Sequence, residues 1–348
     1  RGGGFSMDDF WVWGGSPVAG PDGTYHLFAS RWPRRYPFFE GYQIASEVVR
    51  AVSRSPDGPY RFAGVVLPAR GERWWDGRMT HNPTVHRWGD RYLLFYIGGT
   101  YPGRTPSPAE LRSGRSAKPR ACYRSIRIGM ALAERPEGPW RRPERPILDV
   151  RPGKWDGTVV TNPAPCVLPD GRIRLLYRSN TPGGLRLGIA EAPSWEKPFR
   201  RLRDGPVQLF DDPERFVEDP FVWRTGDRFQ MLAKDMSGAI TGERHAGVHA
   251  LSEDGVRWRL APSPKAYSRC VRWDDGGTTV QGCLERPQLL LREGKPTHLF
   301  AATGDGPGGF RHADCTWTLV VPTRPVKVPS GGRGIDRSAR LCVRGWEE

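Results

Sequence analysis

The chain has 348 residues, 37% of them hydrophobic, with 14 Trp, 14 Phe and 10 Tyr, which suffices for a sizeable core and excludes a disordered composition. The formal net charge is +15, carried by 53 basic residues that are mostly Arg and are scattered along the chain. Such scatter reads as a solvated basic surface, leaves an acidic polysaccharide open as partner, and argues against nucleic acid as the ligand.

The 43 Gly and 34 Pro, without a collagen period, demand many turns, as a many-stranded β protein does. The six cysteines include no CxxC pair, which argues against a zinc knuckle or a thioredoxin motif; they read as buried thiols, with a disulfide or two left open. No metal or other cofactor is expected. No run of about 18 apolar residues marks a transmembrane helix, and no signal peptide is visible. The expected location is cytoplasmic if the N-terminus is complete, and secreted or periplasmic if a signal was removed.

In chain order, one pattern recurs five times: a polar residue or two, Pro, an apolar strand, a Gly-containing turn and an aromatic-rich strand. The copies are GGSPVAGPDGTYHLFAS from Gly14, THNPTVHRWGDRYLLFY from Thr80, VTNPAPCVLPDGRIRLLYR from Val160, VEDPFVWRTGDRFQMLAK from Val217 and LERPQLLLREGKPTHLFAA from Leu284. Their prolines, Pro17, Pro83, Pro163, Pro220 and Pro287, lie 57 to 80 residues apart. After the first four copies comes a strand of small residues (EVVRAVS, IRIGMALAE, LRLGIAEA, AGVHALSE), then a turn and another strand. The PDG, GD and EG turns are hairpin signals. Four antiparallel strands per unit, five times over, predict an all-β five-bladed propeller across residues 1–322. The stretch Tyr101–Arg120 reads as a long loop of blade two, and residues 323–348 as a loosely attached tail.

First strands line a propeller's channel, so residues flanking the repeated Pro should converge there. One before Pro stand Ser16, Asn82, Asn162, Asp219 and Arg286; two before stand Gly15, His81, Thr161, Glu218 and Glu285. Three carboxylates at one mouth suit glycoside hydrolysis, which needs an acid for the leaving oxygen and a second carboxylate as base or nucleophile. Glu218 and Asp219, adjacent acids, would raise each other's pKa, making Glu218 the expected proton donor and Glu285 its reserve. Further acids lie upstream: Asp8 and Asp9, and the Asp76 and Asp156 of two WDG motifs placed identically before Asn-Pro. The WDG aspartates fit either a turn cap or the funnel. Asp8 is the first expectation for the water-activating base, then Asp9 or Asp76. Trp13, Arg31 and Lys234 complete the expected substrate-binding set, with Asp9, Asp76, His81, Asn82, Asp156, Asn162, His245 and Arg286. His245 and His249, four apart on one expected strand, could share a face, as hydrogen-bonding groups before a metal pair.

On these residues the chain resembles the five-bladed propeller glycosidases of glycoside hydrolase families 43, 32, 62 and 117, over about residues 7–322. Stretches such as WDGRMTHNPTV, RPGKWDGTVVTNPAPCV, ERPQLL and KPTHLFAATGDGPGGF carry the likeness to family-43-like proteins. The resemblance implies exo-acting hydrolysis, often with inversion, in a pocket on the axis. It implies an acid two residues before a Pro, matching Glu218 and Glu285. The base it implies is the Asp of a blade-one Asp-Pro, where this chain has Ser16. Family 117 uses His as acid, which keeps His81, His245 and His249 in view as donors. A lyase acting on uronate-containing chains, or a non-catalytic carbohydrate-binding propeller, are the alternatives.

Overall fold

The computed structural model describes residues 2–210, 215–306, 308–323 and 340–341. They form a five-bladed β-propeller. The inner strands are Phe10–Ala19, Met79–Trp88, Thr161–Val167, Val217–Thr225 and Glu285–Arg292. Each pairs antiparallel with the strand that follows it, and inner strands of successive blades pack side by side, with blade one also against blade five, closing the ring.

Blades one and three have four strands each. Blade four gains a fifth, where Gln208–Leu209 runs parallel to Arg257–Tyr267. In blade two the outer position is held by single bridges from Arg141 and Leu148 to the third strand. Blade five is completed by the other end of the chain: Phe5 and Thr318 exchange backbone hydrogen bonds of 3.1 and 2.9 Å. Phe5 is buried among Val12, Leu27, Phe300 and Val320, so the N-terminal segment fastens blade one to blade five.

Every inner strand carries a bulge at the same place: between Trp13 and Ser16, His81 and Thr84, Thr161 and Ala164, Glu218 and Phe221, and Glu285 and Gln288. In blades two to five the first bulged residue has a left-handed backbone: Asn82 (φ 51°), Asn162 (φ 49°), Asp219 (φ 56°) and Arg286 (φ 55°). Residues before Pro normally stay extended, so the repeat imposes a strained conformation and turns those side chains inward. Blade one corrects the expected alignment. There Gly14 (φ 73°) and Gly15 occupy the bulge, and Pro17 lies two residues beyond the place of Pro83. Its axial residue is therefore Trp13, and Ser16 corresponds to Thr84.

The stretch expected as a loop in blade two contains the short helices Pro108–Arg112 and Lys118–Ser125; blade one inserts Phe38–Ala45 at the same point between its second and third strands. None of the helices is long and apolar enough to cross a membrane, among the described residues. Of the cysteines, Cys122, Cys166 and Cys283 are buried free thiols, and Cys270 and Cys315 are free and half-buried. The expected tail falls largely outside the described residues; Arg340–Leu341 pair with Val271 and Arg272.

Candidate functional site

At one end of the axis the inner strands open into a cavity of about 560 Å³. Its floor is a chain of hydrogen bonds built from the bulge residues of four blades. Asn82 Nδ2 donates to Asn162 Oδ1 (3.2 Å), Asn162 Nδ2 to Asp219 Oδ1 (2.5 Å), and Arg286 Nη1 to the same Asp219 oxygen (3.2 Å). The Arg286 backbone N–H reaches Asp219 Oδ2 at 3.2 Å. The bulge thus aligns one polar side chain per blade.

One residue earlier stand Trp13, His81, Thr161, Glu218 and Glu285, all lining the cavity. Directly across the ladder from Thr161 and Glu218 lie Arg178 and Lys234, on the second strands of blades three and four. Lys234 Nζ is 2.9 Å from Glu218 Oε2, 2.9 Å from Glu285 Oε2 and 3.7 Å from Asp219 Oδ2. Arg178 donates to the other Glu218 oxygen.

This division of cations separates the two glutamates. Burial by itself raises the Glu218 pKa, but the Lys234 and Arg178 charges outweigh it and hold the group at about 2. Glu285 is also buried, and it shares Lys234 with Glu218 and has no arginine of its own. Burial, opposed by Lys234 and reinforced by Asp219 and Glu218, pushes it up to about 7. Glu285 is therefore the acid whose pKa is raised, and Glu218, which the adjacent-acid argument expects to be raised, is lowered.

The same cavity carries an aromatic wall. Trp13 meets Phe38 edge-on (5.0 Å) and Phe310 edge-on (5.5 Å), and Phe38 stacks on Phe310 at 5.1 Å and 14°. This joins the blade-one helix to the 3₁₀ turn Gly309–His312 of blade five. On the blade-two side Tyr42 stacks on His81 at 4.8 Å. His81 Nδ1 bonds to Ser46 Oγ at 2.8 Å, and burial with the Arg286 charge pushes its pKa down to about 3.

No protein-family model matches this chain, and no curated protein does. Solved structures do. A family 117 glycoside hydrolase of the marine bacterium Zobellia galactanivorans superposes with a TM-score of 0.64 at 16% identity, over 91% of this chain and 88% of that one. A thermostable family-43 glycoside hydrolase gives 0.61 at 13% identity, over 97% and 96%. A family-43 β-xylosidase/α-arabinofuranosidase from a compost microbial metagenome, in complex with xylotriose and calcium-free, gives 0.57 at 14% identity, over 92% and 94%. This chain shares their fold. The resemblance read from its sequence is thereby matched at the level of architecture.

Against this frame, the structure brings Trp13, His81, Asn82, Asn162, Glu218, Asp219, Lys234, His245, Glu285 and Arg286 to one cavity. It places the other expected residues elsewhere. Asp8 and Asp9 are exposed ahead of the first strand, where their carbonyls accept bonds from Arg34. Arg31 pairs with Glu47 at 2.8 Å and lies over the Phe10 and Phe62 rings. Asp76 is fully buried between Arg70 Nε (2.6 Å) and Tyr96 OH (2.7 Å), and Asp156 between Arg151 Nε (2.9 Å), Arg201 Nε (2.6 Å) and Tyr177 OH (2.8 Å). Both WDG aspartates are anchors of their blades. His249 bonds Gln230 and stacks on Trp223, whereas His245 precedes that strand, so the two do not share a site. No cluster of three metal-ligating side chains occurs among the described residues.

Sequence reading missed Arg178, Arg244, Tyr42, Tyr123 and the Phe38–Phe310 wall. Arg178 had a signal: its strand follows the repeated Pro, in register with Thr161. The aromatic wall had none, since it comes from insertions without a repeat.

Proposed function

We propose that the axial cavity hydrolyses a glycosidic bond at the end of a carbohydrate chain. The observation that carries this is Glu285: a buried carboxyl with a pKa raised to about 7 beside Glu218, whose pKa is lowered, in one cavity with an aromatic wall. A carboxyl kept protonated near neutrality can protonate a departing sugar oxygen. Glu218 and the Asp219 carboxylate beside it oppose the positive charge that develops on the ring. Aromatic side chains suit the C–H face of a sugar, and the polar floor suits its hydroxyls. The Phe38–Phe310 contact walls the cavity on one side, which favours a chain terminus over a chain interior.

The shared fold with glycoside hydrolases and the binding of xylotriose by one of them support a carbohydrate substrate. The base differs from the sequence expectation. Blade one presents Gly14 where a blade-one aspartate would stand, and Asp8 and Asp9 lie outside the cavity. Glu218 shares one ammonium with Glu285, so the two acids sit on the same side of the cavity. Water then approaches from blades two and three, opposite blade five in the ring. His81, uncharged above about pH 3 and with its Nδ1 engaged by Ser46, is the group there able to orient it and to take its proton on Nε2, and inversion is the outcome.

The test is turnover of natural and activated glycosides by Glu285→Gln, with the product anomer followed by NMR. We expect kcat to fall by about 10²–10⁴ on natural glycosides and far less on substrates with good leaving groups. Unchanged turnover on a natural glycoside would remove Glu285 as donor, and retained configuration would remove the opposite-wall water.

A further inference from the structure

The cavity holds more fixed positive charge than its own acids can neutralise. Arg178, Lys234, Arg244 and Arg286 line it, against Glu218, Asp219 and Glu285. Arg178 and Lys234 engage Glu218, Lys234 also engages Glu285, and Arg286 engages Asp219. Arg244 is left over: among the described residues no carboxylate, carbonyl or hydroxyl accepts from its guanidinium, and the residue is exposed at the cavity. When Glu285 carries its proton, the surplus is larger still.

Arg244 is also held in place from both sides. The loop that carries it leaves the second strand of blade four at Asp235, whose carboxylate accepts from the backbone N–H groups of Gly238 (2.8 Å), Ile240 (3.1 Å) and Thr241 (2.9 Å). The loop returns at His245, whose N–H bonds the Asp235 carbonyl at 2.7 Å. The preceding Glu243 is fixed by Lys265 Nζ (2.8 Å), Ser268 Oγ (2.8 Å) and the Arg269 N–H (2.9 Å). A cation without a partner, on a loop this well tied, is a preorganised half of an ion pair. The potential there registers on His245, whose pKa is pushed down to about 4 by burial and then by Lys234, Arg244 and Arg269.

We infer that the sugar bound in the cavity carries an anionic group, a carboxylate or a sulfate ester, and that Arg244 binds it. Both groups present the oxygens that a guanidinium fork accommodates in pairs. The net charge of +15 would add long-range attraction for such a substrate. The inference rests on the axial cavity being the substrate site, as proposed above.

The test is calorimetric binding of matched sugars: glucose, galactose and mannose, each against its uronic acid and its 6-sulfate, with turnover of the corresponding aryl glycosides. In at least one series we expect the anionic member to bind about tenfold or more tightly than the neutral one. Arg244→Gln should abolish that ratio, Arg244→Lys should restore part of it, and the exposed outer-strand variant Arg259→Gln should leave it intact. A preference for uronic acids over sulfates, or the reverse, identifies the group. Equal binding of neutral and anionic members in every series, or an undiminished ratio in Arg244→Gln, overturns the inference. Anion preference without hydrolysis, or with an unsaturated uronate as product, keeps the inference and removes the hydrolase reading. Turnover of neutral glycosides alone does the opposite.

Discussion

Two sets of buried carboxylates in this propeller are made of similar parts and come out differently. Asp76 and Asp156 each have both oxygens occupied by arginine and tyrosine partners within their own neighbourhood. For Asp156 burial raises the pKa, and the Arg151, Tyr177 and Arg201 contacts overcome it and leave the group lowered. The axial set, Glu218, Asp219 and Glu285, draws its cations from neighbouring strands and has to share them. Sharing cannot satisfy all members equally, and the one served least, Glu285, keeps a proton near neutrality. A buried acid is thus structural when each of its oxygens has its own arginine or tyrosine donor, and chemically poised when several buried acids converge on one cation.

That contrast breaks most sharply in paired substitutions. Glu285→Gln removes a carboxyl whose ionisation burial opposes, so we expect the large loss of turnover given above with stability unchanged or raised. Asp156→Asn leaves Arg201 without a carboxylate and Arg151 with only the exposed Asp204, and we expect a loss of about 3–5 kcal/mol in denaturant unfolding, with the folded fraction still active. If Asp156→Asn abolishes activity at full stability, or Glu285→Gln unfolds the chain, the assignment of the two sets is reversed.

A second expectation follows from the same asymmetry. On the proposed mechanism protonated Glu285 is the active form, so kcat/KM should fall as pH rises through about 7. The acid limb should come from His81 losing its neutral form, near pH 3. A pH–rate profile checks both, and the upper limb should vanish in Glu285→Gln with an activated substrate. A profile rising through pH 7 would mean that an ionised Glu285 is required.

The fold was legible because the propeller repeats its punctuation. Four prolines mark the second residue of four bulges, and the strands of small residues fall where expected. Blade one was misaligned by two residues because two glycines do there what Asn-Pro does elsewhere, while an unrelated Pro17 lies close by. The axial acids were legible for the same reason, being in register with Pro. Which acid has its pKa raised was not, since that depends on Lys234 and Arg178 arriving from second strands. The WDG aspartates were open to two readings because their partners, Arg70, Tyr96, Arg151, Tyr177 and Arg201, are separated from them in sequence by 5 to 45 residues.

The smallest expected effect probes the bulge that aligns the axial side chains. Asn82 has a left-handed backbone and bonds Asn162 through its side-chain amide, while its own N–H is received by Ser30 Oγ at 2.9 Å. Asn82→Gly and Asn82→Ala both lose the side-chain bond, so that loss cancels between them. They differ in the backbone: glycine enters the left-handed region freely, whereas alanine pays about 1–2 kcal/mol there. Glycine also gains freedom in the unfolded chain, which takes back part of the difference. We therefore expect Ala to be less stable than Gly by up to about 1 kcal/mol in urea unfolding, the reverse of their order in a regular strand. Should Ala prove the more stable, the bulge is not held in the left-handed form in solution. The alignment of Asn82, Asn162, Asp219 and Arg286 would then need another cause.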